Sequence, residues 1–347
     1  MPSHEYYMYR ALFLASKGLP DAMPNPSVGA IIVHKDTIIG EGYTSPFGGP
    51  HAEVNAINSV KDKNLLPEST LYVTLEPCSH YGKTPPCSDL IIQNRIPKVV
   101  IGCTDTYKEV AGKGIDKLRK AGVDVLEGIL EHLCRESHKR FFTYHEKKRP
   151  YIILKWAQTA DGFIAPLVRN EQKPVWISNV YSRQLTHKWR SEEAAILTGT
   201  KTILHDDPSL TTRDYYGKNP VRIYLDAAHK IPATSAVVNS DARTICLCSF
   251  VPESPILNVS YKVIDFTNLV EEIGRVCYDE HIQSIIIEGG SQTLQQFIDS
   301  GCWDEARVFE SSTILESGIS APHLKNISGI SSQKIETDTL TFFKNNF

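Results

Sequence analysis

Three ligand-type side chains, widely separated along the chain, constrain this sequence most. His51 lies in Pro50-His51-Ala52-Glu53, Cys78 in Leu75-Glu76-Pro77-Cys78, and Cys87 after Pro85-Pro86. If they hold one zinc ion, the fold has to bring three separate segments to one point. A neutral imidazole and two thiolates supply three protein ligands and leave the fourth tetrahedral position to water, as in a catalytic rather than a structural zinc site. Glu53 need not be a ligand. Two residues past His51, it is placed to carry the proton of a water whose pKa zinc lowers from about 15.7 towards about 7.

A His-x-Glu pair is a weak signal alone, because a His at a helix start is more often a cap or a surface residue. The flanking sequence strengthens it. Residues 71–75 read as a strand running straight into Glu76-Pro77-Cys78, where proline ends the ladder. Cys87 opens an apolar helical stretch, and a thiol at a helix N-terminus favours the thiolate.

The chain has 347 residues, enough for two domains. Apolar content of 41% and charged content of 22% are those of a soluble globular protein. A net charge of −3 gives no field favouring nucleic acid or an anionic membrane surface. No apolar run approaches a membrane span, and residues 1–10 lack a signal pattern, so a cytoplasmic location is expected. Of the eight cysteines, Cys103, Cys246, Cys248 and Cys277 sit in apolar stretches and read as small buried hydrophobes; Cys134 and Cys302 carry no signal.

In the first half, helical spacing covers 6–17, 52–60, 88–94 and 115–121. Strand-like runs cover 28–33, 37–43, 71–75, 99–103 and 123–126, with His34-Lys35-Asp36 as a hairpin turn. Such alternation predicts a three-layer α/β/α domain. The composition turns basic around Lys139 to Pro150, which reads as a solvated linker and sets the division: 1–145 and 149–347. In the second half, strands are expected at 151–156, 194–198, 221–225, 244–248 and 284–287, and helices at 180–190 and 293–300.

His-x-Glu followed by Pro-Cys is the order seen in zinc deaminases of bases, here with a longer gap between the cysteines. Pro24-Asn25-Pro26-Ser27-Val28-Gly29, Pro50-His51-Ala52-Glu53 and the run from Leu75 through Cys78-Ser79-His80-Tyr81-Gly82-Lys83-Thr84-Pro85-Pro86-Cys87 resemble the N-terminal half of the bifunctional riboflavin-biosynthesis deaminase/reductase family. The resemblance covers nearly the whole chain. It implies a cytidine-deaminase-like domain, zinc held by His51, Cys78 and Cys87, and Glu53 as the catalytic proton carrier. The implied reaction is zinc-hydroxide deamination of 2,5-diamino-6-ribosylamino-4(3H)-pyrimidinone 5′-phosphate, with Asn25, His80, Lys83, Thr84 and Asp105 contacting substrate. Thr44 stands where relatives often have His, and Thr106-Tyr107 replaces an expected Pro-Asn.

In the second half, Ile287-Glu288-Gly289-Gly290-Ser291 follows a strand and precedes a helix, a geometry suited to phosphate, though it is not a G-x-G-x-x-G. Alone it reads as a tight turn, and His205-Asp206-Asp207-Pro208 as a helix end. With Leu154-Lys155-Trp156-Ala157, Val175-Trp176-Ile177-Ser178 and the run from Thr202 to Arg213, these strings look like the family's reductase domain. That implies a dihydrofolate-reductase-like α/β fold and NADPH-dependent reduction of the ribosyl group to ribityl. Ala157, Trp176, Thr202, Asp206, Gly290, Ser291, Gln292, Thr293, Leu294, Gln295 and Gln296 would line the cofactor. Lys155, Arg190, Leu210, Arg213 and Glu288 would face the substrate, with the arginines on its phosphate. Pro174 replaces a family hydroxyl, and the tail after Ile314 matches poorly and is assigned no role.

The implied partner is a small pyrimidine ribotide, with no nucleic acid or membrane, in a homo-oligomer (dimer or tetramer). Two alternatives are weaker: a nucleic-acid base deaminase, opposed by the net charge, and a deaminase whose reductase-like half only binds nucleotide.

Overall fold

The computed structural model describes residues 2–81, 85–105, 112–168, 171–172 and 174–346 and divides into two units, Met1–Lys148 and Arg149–Phe347. The first contains α1 (His4–Ala15), β1 (Gly29–His34), β2 (Thr37–Tyr43), α2 (Ala52–Ser59), β3 (Thr70–Leu75), α3 (Cys87–Gln93), β4 (Lys98–Cys103), α4 (Lys113–Lys120), β5 (Asp124–Leu126), α5 (Glu131–Ser137) and α6 (Lys139–Lys147).

Its strands form one sheet in the order β2-β1-β3-β4-β5. β3, β4 and β5 run parallel, and β1 is antiparallel to β2 and β3. The β1–β2 turn is made by Lys35 and Asp36, both at positive φ (45° and 65°), the backbone of a tight two-residue hairpin. Helices cover both faces. A Cβ on Gly29 would lie 1.9 Å from the Ala11 carbonyl of α1, and one on Gly42 would lie 2.4 Å from the Ala56 nitrogen of α2. Gly29 is paired with Tyr43, so Gly42 points to the opposite face from Gly29.

The basic stretch near 139 is not a solvated linker. Lys139–Lys147 is helical, with Phe141, Phe142 and Tyr144 buried while Lys139 pairs with Glu136 at the surface (2.8 Å). Charge composition alone hid the apolar face. His138, between α5 and α6, is 2% exposed; its Nε2 meets Thr74 Oγ1 at 3.1 Å, and its Nδ1 has no partner among the described residues.

Burial holds the His138 pKa down at about 4, against 6.5 when solvated. The unfolded chain therefore takes up a proton that the folded chain refuses. Stability is intact above pH 6.5 and declines as pH falls towards 4, by on the order of 3 kcal/mol for this group. Urea unfolding of the full chain between pH 7 and 4.5 should show a shallower pH slope, by up to one proton, in His138→Gln than in the unaltered protein. Equal slopes would mean that His138 titrates in the folded protein as it does in the unfolded chain.

The second unit contains β6 (Tyr151–Gln158), β7 (Phe163–Ala165), α7 (Val180–Glu192), β8 (Ala195–Thr198), α8 (Thr200–Asp206), β9 (Val221–Leu225), β10 (Thr244–Cys248), β11 (Val259–Val263), α9 (Leu269–Asp279), β12 (Ser284–Glu288), α10 (Ser291–Ser300), β13 (Glu305–Glu310), β14 (Ile319–Ser320), β15 (Ile327–Ile335) and β16 (Asp338–Asn345). Nine strands form one sheet in the order β11-β10-β9-β8-β12-β6-β13-β16-β15. The pairings from β11 to β13 are parallel, and β16 and β15 close the edge antiparallel. The central strands are apolar on both faces, as a sheet covered on both sides requires.

The C-terminal tail, given no role from sequence, supplies β15 and β16. Buried Asp338 accepts from the Asn179 amide (2.8 Å) and the Ser182 hydroxyl (2.6 Å), fixing the start of α7. The polar composition of 327–335 (Ser, Gly, Gln, Lys) concealed an edge strand. Cys103, Cys134, Cys246, Cys248 and Cys277 are buried and unpaired. Among the described residues no helix is long and apolar enough to cross a membrane.

Candidate active sites

The strand order of the first unit gathers its chemistry at one end of the sheet. β1 starts where antiparallel β3 ends, β2 returns to that end, and parallel β4 ends beside β3. Segments 25–28, 44–51, 76–78 and 104–105 all leave the sheet there. His51 occupies the N-cap position of α2, yet its side chain makes no capping hydrogen bond. Its Nδ1 lies 3.6 Å from Cys78 Sγ and 3.4 Å from Cys87 Sγ.

The three donor atoms lie within 4.8 Å of one another. With zinc–sulfur bonds of about 2.3 Å and zinc–nitrogen bonds of about 2.0–2.1 Å, a tetrahedral ion sets sulfur and nitrogen about 3.6 Å apart. The donor set therefore fits zinc in chemistry and in spacing. Cys87 is the first residue of α3, and its free backbone N–H donates to Cys78 Sγ (3.3 Å). This shifts the acidity expected of Cys87 onto its neighbour. The Cys87 thiol and amide both stabilise charge on Cys78, whose pKa falls to about 4, while Cys87 keeps the proton and is pushed up.

Glu53, in the first turn of α2, is 4% exposed and packs its carboxyl against Cys87. Burial, and then the charge on Cys78, push its pKa up to about 7. Asn25 is half-buried on the loop before β1, His80 is exposed just past Cys78, and Asp105 is buried beyond the end of β4. Lys83 and Thr84 lie outside the described residues, as does Thr106-Tyr107. Thr44 is buried and structural: its Oγ1 accepts from the Val28 amide at 2.9 Å.

Sequence reasoning gave Glu76 no role of its own, yet it organises this end of the sheet. Its buried carboxylate accepts from the amides of Asp105 (3.3 Å), Gly112 (3.0 Å), Gly114 (2.9 Å) and Ile115 (3.3 Å). It thus caps α4 and ties the chain beyond β4 to the residue before Pro77-Cys78. Its place in the Leu75-Glu76-Pro77-Cys78 run was the available signal; the four donors were not.

In the second unit, the parallel strands β6, β8, β9 and β12 open at their carboxyl ends onto a cavity of about 1140 Å³. Lys155 and Ala157 reach it from β6, Thr198 from β8, and Glu288 from β12. Gly289 and Gly290 turn the chain at φ of 89° and 68°, which L side chains rarely adopt, and so lead into the N-terminus of α10. Thr198 Oγ1 is buried with no partner among the described residues, so the cavity wall carries an unsatisfied polar atom. An exposed helix N-terminus, a glycine turn and this hydroxyl fit a phosphorylated dinucleotide.

Of the residues expected at the cofactor, Ala157, Trp176, Thr202, Asp206, Gly290, Ser291, Gln292, Thr293 and Gln296 line the cavity. Leu294 and Gln295 do not: Leu294 is fully buried in the core, and Gln295 bonds Asp299 and the His323 backbone. On a helix, consecutive residues turn about 100° apart, so a continuous run cannot share one face. Lys155, Arg190, Leu210, Arg213 and Glu288 all line the cavity. Arg190 grips Glu288 with two nitrogens (2.6 and 3.2 Å) and donates to the Thr211 carbonyl (3.1 Å). Burial alone would raise the Glu288 pKa, but Arg190 and Lys155 outweigh it and hold the carboxylate at about 2. Pro174 also lines the cavity, and Arg183 stacks over Trp176 at 4.3 Å.

Residues 150–338 match the RibD C-terminal domain family, and residues 1–103 match the cytidine and deoxycytidylate deaminase zinc-binding region. The chain is 39% identical over 323 residues to riboflavin biosynthesis protein RibD of Aquifex aeolicus, covering 90% of this chain and 88% of the relative. It is 34% identical to RibD of Escherichia coli, covering 90% and 89%. A crystal structure of a diaminohydroxyphosphoribosylaminopyrimidine deaminase/5-amino-6-(5-phosphoribosylamino)uracil reductase from Thermotoga maritima is similar at TM-score 0.91 and 38% identity, covering 99% of this chain and 98% of the other. An Acinetobacter baumannii RibD structure is similar at TM-score 0.89 and 29% identity, covering 98% of both chains.

Proposed function

Because this chain belongs to the RibD family of bifunctional deaminase/reductases of riboflavin biosynthesis, we propose that its first unit hydrolyses the 2-amino group from the pyrimidinone ribotide, with water supplying the new carbonyl oxygen and ammonia leaving, and that its second reduces the product's ribose. The observation that carries this reading is the convergence of His51, Cys78 and Cys87 at 3.4–3.6 Å beside buried Glu53. The enzyme class uses zinc and NADPH. We assign zinc to His51, Cys78 and Cys87. When bound, zinc supplies a water acidic enough to lose its proton near neutral pH.

Glu53 receives that proton at its carboxylate and returns it to the substrate until ammonia can leave. Asn25, His80 and Asp105, with Lys83 and Thr84 from the insert between the cysteines, orient 2,5-diamino-6-ribosylamino-4(3H)-pyrimidinone 5′-phosphate. Asp105 is tied through its backbone amide to Glu76 beside the metal ligands.

NADPH supplies the hydride for the second reaction. The α10 N-terminus and the Gly289-Gly290 turn take its phosphate, and Thr202 and Asp206 line its path. Lys155, held between Glu288 and the Phe309 ring (5.7 Å), sits beside Arg190 at the substrate end of the cavity. Arg190 and Arg213 take the substrate phosphate, and Leu210 packs against the substrate. The buried thiols of Cys103, Cys134, Cys246, Cys248 and Cys277 accord with a reducing cytoplasm. We place the enzyme there as a homo-oligomer acting on small ribotides.

The test separates the two halves. The purified chain should carry one zinc, and Cys87→Ala should lose both the metal and ammonia release. NADPH oxidation with the deaminated ribosylamino-uracil phosphate should persist in that variant. A second half that bound NADPH without oxidising it would reduce the reading to a deaminase with a nucleotide-binding appendage.

A further inference from the structure

One buried titratable side chain in the cavity has no part in the reactions above. His187 lies on α7 four residues after Arg183 and three before Arg190, the spacing that sets side chains on one helix face, and all three line the cavity. The ring is 3% exposed. Its Nε2 faces Asp214 at 3.4 Å, while its Nδ1 is buried with no partner among the described residues. A buried ring nitrogen without a partner is costly unless a ligand satisfies it.

The charged groups bearing on the ring are Arg190 on its own helix, Arg213 and Asp214 on the segment after α8, and Glu288 at the end of β12. Glu288 is occupied by Arg190, and Asp214 is half exposed. The guanidiniums of Arg190 and Arg213 crowd each other, and burial together with that crowding holds down the pKa of Arg213. With Lys155 beside Arg190 and Arg183 beside Arg213, both also lining the cavity, four cations stand at this corner against the two carboxylates Asp214 and Glu288, so it is short of an anion.

We propose that His187 is a further binding residue for the phosphate monoester of the reductase substrate, and that it takes up one proton from solvent as the phosphate dianion arrives. The proposal rests on the reading that Arg190 and Arg213 hold that phosphate. Before binding, burial and the two arginines keep the ring neutral, its pKa down at about 4; Nε2–H points to Asp214 and Nδ1 carries the lone pair. The dianion reverses the local potential. One proton moves from buffer to Nδ1, and Nδ1–H donates to a phosphate oxygen. No covalent bond changes, and the charge balance is one proton gained per phosphate bound.

Titration calorimetry of the full-length protein with D-ribose 5-phosphate, at pH 7 in two buffers of different ionisation enthalpy, reads that proton directly. The unaltered protein should show net proton uptake. His187→Gln should show none, or a slight release as the remaining monoanionic phosphate (second pKa about 6) ionises, with binding about tenfold weaker. In turnover, the KM for the deaminated substrate should rise about tenfold in His187→Gln while kcat stays within about twofold. Absence of uptake in the unaltered protein overturns the proposal without any variant, as does equal uptake in His187→Gln. The cofactor's 2′-phosphate is the other phosphate monoester available, and 2′,5′-ADP probes it: proton uptake that appears with 2′,5′-ADP and vanishes in His187→Gln moves the residue to the cofactor and overturns the proposal. Arg213→Gln separates the underlying reading. If D-ribose 5-phosphate binds equally well to Arg213→Gln, the phosphate assignment itself fails; if binding is lost there while His187→Gln retains uptake, only the role of His187 falls.

Discussion

Glu53→Gln should retain zinc and lose ammonia release by about 10³-fold, within the range that a positioned acid–base group contributes. The amide occupies nearly the same volume at a site that is 4% exposed, and Glu53 is not one of the three clustered donors, so metal content should stay at one per chain. An amide can neither receive the water proton nor hand it to the leaving nitrogen, so both halves of the proton transfer fail together. Metal analysis and an ammonia assay on the same preparation decide the matter. A variant with near-normal ammonia release would remove Glu53 from the reaction, and one lacking zinc would make Glu53 part of the metal site.

Glu288→Gln should have the largest effect on the second reaction. Glu288 is a buried anion between Arg190 and Lys155 (side chain 12% exposed). Neutralising it leaves those cations facing each other, which costs about 3–5 kcal/mol when a buried pair is broken. Arg190 then keeps at most one of the two hydrogen bonds that aim its guanidinium, since the amide offers one acceptor oxygen and an NH2 that repels the second donor, and a misplacement of about 1 Å at a reacting centre costs roughly 10²-fold in rate. NADPH oxidation should fall by that order while ammonia release continues.

The pH signature follows the same group. With a folded pKa of about 2 against 4.5 when solvated, Glu288 contributes stability above pH 4.5 and loses it as pH falls towards 2. The unaltered protein should therefore destabilise more steeply than Glu288→Gln across that window. Parallel acid-unfolding curves would show that Arg190 and Lys155 do not hold the carboxylate charged.

The metal cluster was legible in the chain because its signals are local. A strand runs into Glu76-Pro77-Cys78, Cys87 opens a helix after two prolines, and His51 sits two residues before Glu53; each constrains its own few residues, and the chemistry of zinc supplies the link between them. The central strands were legible for the same reason: runs such as 221–225 and 244–248 are apolar apart from Arg222 and Thr244 and are bounded by polar turns. The strands 327–335 and 338–345 at this side of the sheet have no such pattern, because their stability comes from pairing, β16 with β13 and β15 with β16, rather than from two buried faces. Lys139–Lys147 escaped notice because its surface charges outnumber the three aromatic residues that decide its packing.

What the sequence determined by itself is the identity of the donors and the order of the most apolar strands, since those depend on residue type and near-neighbour spacing. What only the tertiary structure decided is which groups meet. Glu76 collects four amides from segments roughly thirty to forty positions away, Leu294 turns into the core while Thr293 faces the cavity, and His187 is buried among Arg190, Arg213, Asp214 and Glu288. Hydrogen bonding, burial and Coulomb interaction act over a few ångströms in space, and only the folded backbone converts distance along the chain into distance in space.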